Sequence, residues 1–369
     1  MRKETVAYAY IAFSLAAIVI VISPSVLGIW NSSPSMIYIP VPSSLSGYFI
    51  RYINISAGNG SKLVLNITLP YSKTYYQTSS LQVMSKQKYT YHHEDNRTWY
   101  SFSIGSSTSI ELLYNYNIKS ISYPVSQYNS LNTSAIPEYL KNQYLGDEYL
   151  YNYKVIMPEK FKNITEGIIK NSTNVFEEEK AIYDYIVKNF KYKITYTRLG
   201  LPNSAWQTYI NRSGDCVELS FLYVSMARSV GIPAWVEFGW LYTFQTWAEH
   251  AWVGTVIPTK NGLVRGIIDL TEEVGTSDLG IGFFVRDPYR LTEWVDDGNS
   301  TDLTNYYTLI YGETVGSFSP PTDVVIPAKV VLGQYTLLPL PSYAIDPFIF
   351  RVIIVAVSSL IVYFIIRKK

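Results

Sequence analysis

The chain is poor in the residues that usually announce a chemistry. It has one cysteine and three histidines in 369 residues. A single cysteine excludes an intramolecular disulfide framework and any zinc site built on several thiolates. Charged residues make up 16%, and the net charge is +1. Soluble chains commonly carry roughly 25% charge. So even a balance leaves no electrostatic footprint for nucleic acid, and so low a charge density is not that of a disordered acidic or basic chain. No acidic loop of EF-hand type offers calcium ligands. No metal or cofactor is implied, and oligomeric state is not encoded in any motif. What the chain has instead is 34 tyrosines, two apolar ends and a length beyond one ordinary domain.

The first end, residues 6–30, opens on VAYAYIAFSLAAIVIVI behind Arg2 and Lys3. The other, residues 347–366, is apolar apart from Arg351 and is followed by Arg367-Lys368-Lys369. About 20 apolar residues cross a bilayer. The expectation is a transmembrane helix at each end, the first a signal anchor or a signal peptide cleaved after Ser25, with the lipid bilayer as partner. Positive charge stays inside, so the catalytic part of a cell-membrane protein would face outward. Glycosylation motifs agree. The chain has 20 Asn and 64 Ser plus Thr, so chance would place about three or four Asn in an Asn-x-Ser/Thr context. Ten are found: Asn31, Asn54, Asn59, Asn66, Asn96, Asn132, Asn163, Asn171, Asn211 and Asn299. All lie between the apolar ends, as an extracellular glycoprotein requires. The absence of disulfides beside this Tyr/Ile-rich composition suggests an archaeal surface protein.

Between the ends, residues 46–123 alternate apolar and polar. Leu63, Leu65 and Ile67 form one row, and Ile110, Leu112, Tyr114, Tyr116 and Ile118 another. That period of two predicts antiparallel strands in a β-sandwich-like domain. His92 and His93 sit at a hairpin tip, where neighbours point to opposite faces and do not make a metal pair. Residues 124–173 read as a polar connection. A helix follows from Asn174, which can cap it ahead of Glu177, Glu178 and Glu179. A second helix starts at Cys216 and ends at Gly231-Ile232-Pro233. Residues 276–345 read as a loop-and-strand extension.

Chemistry converges on the lone Cys216, in Ser213-Gly214-Asp215-Cys216-Val217-Glu218. Exposed N–H groups at a helix start favour a thiolate and can hold an oxyanion. Gly214 would let a substrate backbone approach the sulfur. His250 opens the strand His250-Ala251-Trp252-Val253, and Asp269 closes the next. Neighbouring strands can set His250 beside Asp269 while the helix brings Cys216 to the imidazole. Gly214, Asp215, Trp206 and Trp252 are the candidate substrate-binding or oxyanion residues. The aromatics from Trp240 to Trp247 either rim a peptide-binding cleft or pack on the other domain.

Residues 174–275 resemble the core of the transglutaminase-like superfamily, whose fold is papain-like. The resemblance rests on Ala181-Ile182-Tyr183-Asp184-Tyr185-Ile186, Gly214-Asp215-Cys216, Ala227-Arg228, Gly231-Ile232-Pro233-Ala234, His250-Ala251-Trp252 and Asp269-Leu270-Thr271. Gly266 departs from it, since many relatives carry an aromatic nearby. The resemblance implies an α+β fold, with a Cys-bearing helix packed on an antiparallel sheet. It also implies a Cys216-His250-Asp269 triad acting on a surface protein or peptide substrate. Hydrolysis by a cysteine protease or amidase is the expected reaction. Cross-linking to lysine amines is the alternative, as is a silent binding or scaffolding protein.

Overall fold

The computed structural model describes residues 35–94, 97–194, 201–274, 280–298, 303, 309–319, 321–345, 356, 357 and 360. Residues 38–342 form one compact unit; residues 1–37 and 343–369 form a second. Within the first unit a β-sandwich and a mixed helix–sheet core each bury their own apolar cluster.

The sandwich follows from the alternation. One sheet has the order Thr322–Leu332, Ser44–Ile55, Thr108–Lys119, Gln77–Val83; the other runs Leu309–Val315, Lys62–Thr68, Arg97–Ile104, Tyr89–Glu94. Every second side chain points inward. Leu45, Phe49 and Ile53 therefore lie opposite Ile118, Tyr114 and Ile110, all fully buried. Phe49 stacks on Tyr114 at 4.5 Å. Position 51 falls in the same inward row, so Arg51 is buried with 0% exposure. On the neighbouring strand the register slips between Pro327 and Lys329. Just past that bulge Gly47 pairs with Val330 at φ 149°, where a Cβ would stand 1.9 Å from the Lys329 carbonyl oxygen. Only glycine fits both demands. His92 stacks on Trp99 at 5.1 Å, and His93 Nδ1 lies 3.1 Å from Thr98 Oγ1.

In the core, the helix Val175–Asn189 starts where Asn174 accepts the Glu177 N–H. Its apolar stripe, Ile182, Tyr183 and Ile186, is fully buried. The helix Cys216–Ser229 is buried from Glu218 to Arg228 and packs on an antiparallel sheet. That sheet has the order Gly262–Ile268, Trp247–Thr259, Ala234–Tyr242, Arg290–Val295. The two central strands join at a hairpin whose Trp240 and Trp247 belong to the apolar cluster of the sandwich. Of the two roles open to these aromatics, the structure gives packing to Trp240 and Trp247, while Phe244 is exposed.

Two expectations are corrected. Among the described residues the fold is mostly sheet, 47% with five α-helices, where an α+β fold was expected. The surplus comes from the chain after residue 276, which supplies four strands. The loop-and-strand extension expected there is richer in strand than its prolines suggest, since Pro327, Pro339 and Pro341 all lie within strands and an edge strand tolerates proline. The transmembrane helix expected at each end is also overturned. No helix among the described residues is long and apolar enough to cross a membrane. The runs 6–30 and 347–366 lie outside the described residues, except 356, 357 and 360. An apolar run supplies sufficient length for a span, not the helix itself.

Candidate active site

Three elements converge on one point. Asp215 caps the cysteine helix, its Oδ1 accepting the N–H groups of Val217 and Glu218 at 3.0 and 3.1 Å. Glu218 returns the interaction to the Asp215 N–H at 3.3 Å, closing a capping box. The Cys216 N–H is thereby left as the first donor of the helix, with no acceptor among the described residues. Cys216 itself is half-buried. His250 sits near the start of the central strand, opposite Gly239. Asp269 follows the adjacent strand Gly262–Ile268, pinned by its N–H to the Gly282 carbonyl at 2.8 Å.

The side chains meet in order. His250 Nε2 is 2.8 Å from Asp269 Oδ2, and Cys216 lies close enough to the imidazole to help raise its pKa. With Nε2 committed to the carboxylate, Nδ1 is the ring nitrogen left for a second partner. His250 is 9% exposed and Asp269 1%. Burial alone would push the imidazole pKa down. The Asp269 charge and hydrogen bond, then Cys216, outweigh it and raise His250 to about 10. Burial works against the Asp269 charge too, but His250 and Arg290 hold its pKa well below the usual carboxylate range. The arrangement sets the imidazole beside a sulfur and a carboxylate whose charge favours its protonated form. A nucleophile, a proton carrier and an orienting acid would require that geometry.

Asp269 has more partners than the sequence reading supplied. Thr271 donates to Oδ1 through its N–H at 3.1 Å and its hydroxyl at 2.7 Å. Arg290 donates to Oδ2 through Nε at 3.0 Å and Nη2 at 2.8 Å. Arg290 is 2% exposed and also binds Glu272 Oε1 at 2.6 Å and Asp287 Oδ1 at 2.8 Å. Its signal in the sequence was an arginine entering a strand with Leu291 and Trp294, where a charge demands a partner.

The four auxiliary candidates separate. Asp215 is a cap 8% exposed, its pKa raised by burial against the pull of its two N–H bonds and of His250. A Cβ on Gly214 would meet Glu218 Cβ at 2.9 Å and Thr208 Cγ2 at 3.0 Å, so internal packing requires this glycine. Trp252 is fully buried, donates to Glu237 Oε2 at 2.7 Å and backs the imidazole at 6.0 Å between centroids. Trp206 stacks on Tyr209 at 5.5 Å and meets Phe161 edge-on at 5.8 Å, packing against the core. Among the described residues, no group of three or more His, Cys, Asp or Glu is disposed to hold a metal ion.

Residues 162–263 match the family model of the transglutaminase-like superfamily, a span that holds Cys216 and His250 and ends before Asp269. No curated protein matches the chain. Among solved structures, a candidate cysteine protease from Cytophaga hutchinsonii superposes with a TM-score of 0.55 at 15% identity, covering 81% of this chain and 96% of that one. The periplasmic domain of TgpA from Pseudomonas aeruginosa, bound to ethylmercury, matches with a TM-score of 0.32 at 14% identity, over 62% of this chain and 91% of that one. The first likeness establishes a shared fold, and the core is transglutaminase-like.

Proposed function

We propose that the protein is a cysteine acyl-transfer enzyme that hydrolyses peptide or carboxamide bonds. The observation that carries this reading is the buried His250–Asp269 pair with the half-buried Cys216 beside the imidazole. Cys216 is the nucleophile. Its sulfur attacks the carbonyl carbon while His250 Nδ1 holds the thiol proton, and the carbonyl oxygen takes the negative charge. The uncommitted Cys216 N–H is one donor for that oxyanion. On collapse, the C–N bond breaks, the imidazolium protonates the leaving amine, and a thioester remains. Water then attacks the thioester, giving its proton to His250 and releasing the carboxylic acid and the thiol. Asp269 stays ionised throughout, orienting the ring and stabilising its cation.

An outward-facing location is part of the proposal. It is supported by exposure of six of the seven described glycosylation motifs, Asn54, Asn59, Asn132, Asn163, Asn171 and Asn211, with Asn66 half-buried. Native protein carrying glycans at these asparagines would lose mass on chemical deglycosylation; unchanged mass refutes this part alone.

The test of the enzyme reading is labelling of the full chain by a peptidyl electrophile directed at thiols. Selective reaction at Cys216 near neutral pH, lost in His250→Ala, is the expected result. Wild-type protein that stays unlabelled, with or without glycan at Asn211, overturns it. Release of free acid and ammonia from an acyl-glutamine substrate, without incorporation of an added amine, marks hydrolysis over cross-linking.

A further inference from the structure

We propose that Arg290 is a positioning residue of this site, clamping Asp269 so that the carboxylate presents one fixed oxygen to His250. The inference rests on the reading of Asp269 as the orienting acid. It adds a residue that lies outside the matched family segment, which ends at residue 263.

The geometry carries it. Both Nε and Nη2 of Arg290 point at Oδ2, the oxygen that receives His250 Nε2. Thr271 occupies Oδ1 with two donors. The carboxylate therefore accepts bonds on both sides and has no freedom to rotate away from the imidazole. A guanidinium suits this because its fork is planar and always charged. Arg290 reaches the site from the far edge of the sheet, since its strand pairs with Ala234–Tyr242 and not with the histidine strand. It is locked in turn by Asp287 and Glu272.

The clamp also tunes the site. A buried cation sharing the Oδ2 atom competes with the imidazolium for that negative charge. The charged or titratable groups facing His250 are Cys216 and Asp215 on the helix, Asp269 after its strand, and Glu272 with Arg290 beyond. Removing the arginine charge strengthens the hold of Asp269 on the imidazolium. Removing the Asp287 charge frees more of the arginine charge and weakens it.

The chain has only three histidines, so the test reads the imidazole directly. Histidine-labelled full-length protein is titrated by NMR, with His250→Ala assigning the resonance. Arg290→Gln should move the His250 midpoint up by about one pH unit, and Asp287→Asn should move it down. Arg290→Gln should slow electrophile labelling of Cys216 about tenfold, and Arg290→Lys should recover part of that loss. If Arg290→Gln fails to fold, Arg290→Lys and Asp287→Asn decide alone. Midpoints and labelling rates unchanged from wild type in the folded variants would overturn the proposal. Absent labelling in the wild type would instead refute the enzyme reading, while the NMR shifts would still report the clamp.

Discussion

The sandwich and the transglutaminase-like core bury opposite things. The sandwich encloses Leu, Ile, Phe and Tyr in two facing rows and admits one fully buried arginine, Arg51. The core encloses Glu179, Glu218, Arg228, Glu237, Asp269, Arg286, Arg290 and Asp296, each less than 9% exposed. Burying a charge is costly unless it is paired. The core meets that condition with specific partners, Arg228 on Asp296, Arg286 on Glu237 and Arg290 on Asp269. The sandwich holds position by packing, and the core fixes the direction of individual atoms. Catalysis needs the second kind of order, and the hairpin Trp240–Trp247 ties it to the first.

The strongest break in this comparison is Asp269→Asn. The amide cannot accept charge from both His250 and Arg290, and it leaves a buried guanidinium short of a partner. Labelling of Cys216 should fall by about 10³-fold, with thermal stability reduced as well. Wild-type labelling in a folded Asp269→Asn chain would show that carboxylate direction is irrelevant here.

Phe49→Ala strikes the packed side. Phe49 touches Tyr114, Trp240 and Trp247 with ring centroids 4.5, 5.3 and 5.3 Å away. Truncation in such a site costs about 3–5 kcal/mol, measurable by denaturant unfolding. Because Trp247 lies three residues before His250, labelling should weaken along with stability. Loss of stability with labelling intact in the surviving folded fraction would separate the two regions.

These two substitutions also mark what the sequence made legible. Alternation at Leu63–Ile67 and Ile110–Ile118 announced the sandwich because a period of two is a local signal. Asn174 announced a helix start for the same reason, and Cys216, His250 and Asp269 could be aligned by order and type; the capping role of Asp215 was not read, since it was taken for a substrate-binding or oxyanion residue. Long-range pairing leaves no local trace. Thr322–Leu332 pairs antiparallel with Ser44–Ile55, bringing Asp323 to Arg51 across 272 residues, and nothing in either segment names the other. Arg290 was missed likewise, since its partner Asp269 is 21 residues away across a turn of chain without periodicity.

The pH dependence of stability should distinguish the regions by window. His250 is raised from 6.5 to about 10, so its contribution is full below about pH 6.5 and fades as pH climbs towards 10. Asp269 is lowered, so its contribution is full above about pH 4 and is lost as pH falls. Glu293 accepts from Trp240 Nε1 at 2.8 Å beside the sandwich, and burial, only partly offset by Arg51, raises it from 4.5 to about 8. A raised acid stabilises the fold below its ordinary value, and that stability is lost as pH rises through 8. Melting temperature should therefore decline from pH 5 to 10. Glu293→Gln should flatten the decline between about 4.5 and 8, and His250→Ala between about 6.5 and 10. Identical curves for both variants would remove the distinction.

The smallest effect tests how the sandwich holds the histidine strand. Arg51 Nη2 binds Glu249, the neighbour of His250, at 2.8 Å and Asp323 at 2.7 Å, while Nε binds Asp323 at 3.0 Å. Its guanidinium also lies 4.9 Å from the Trp240 ring centroid. Glu249 is 51% exposed along its side chain, against 33% for Asp323. Water screens the Glu249 pair, and Arg51 keeps two bonds to Asp323 without it. Glu249→Gln should cost less than about 0.5 kcal/mol and leave labelling within about twofold. Asp323→Asn should cost more, because a buried guanidinium then loses its two-bond partner. The reverse ranking, with Glu249→Gln the more damaging to labelling, would mean that charge and not the Phe49–Trp240–Trp247 packing holds His250 in place.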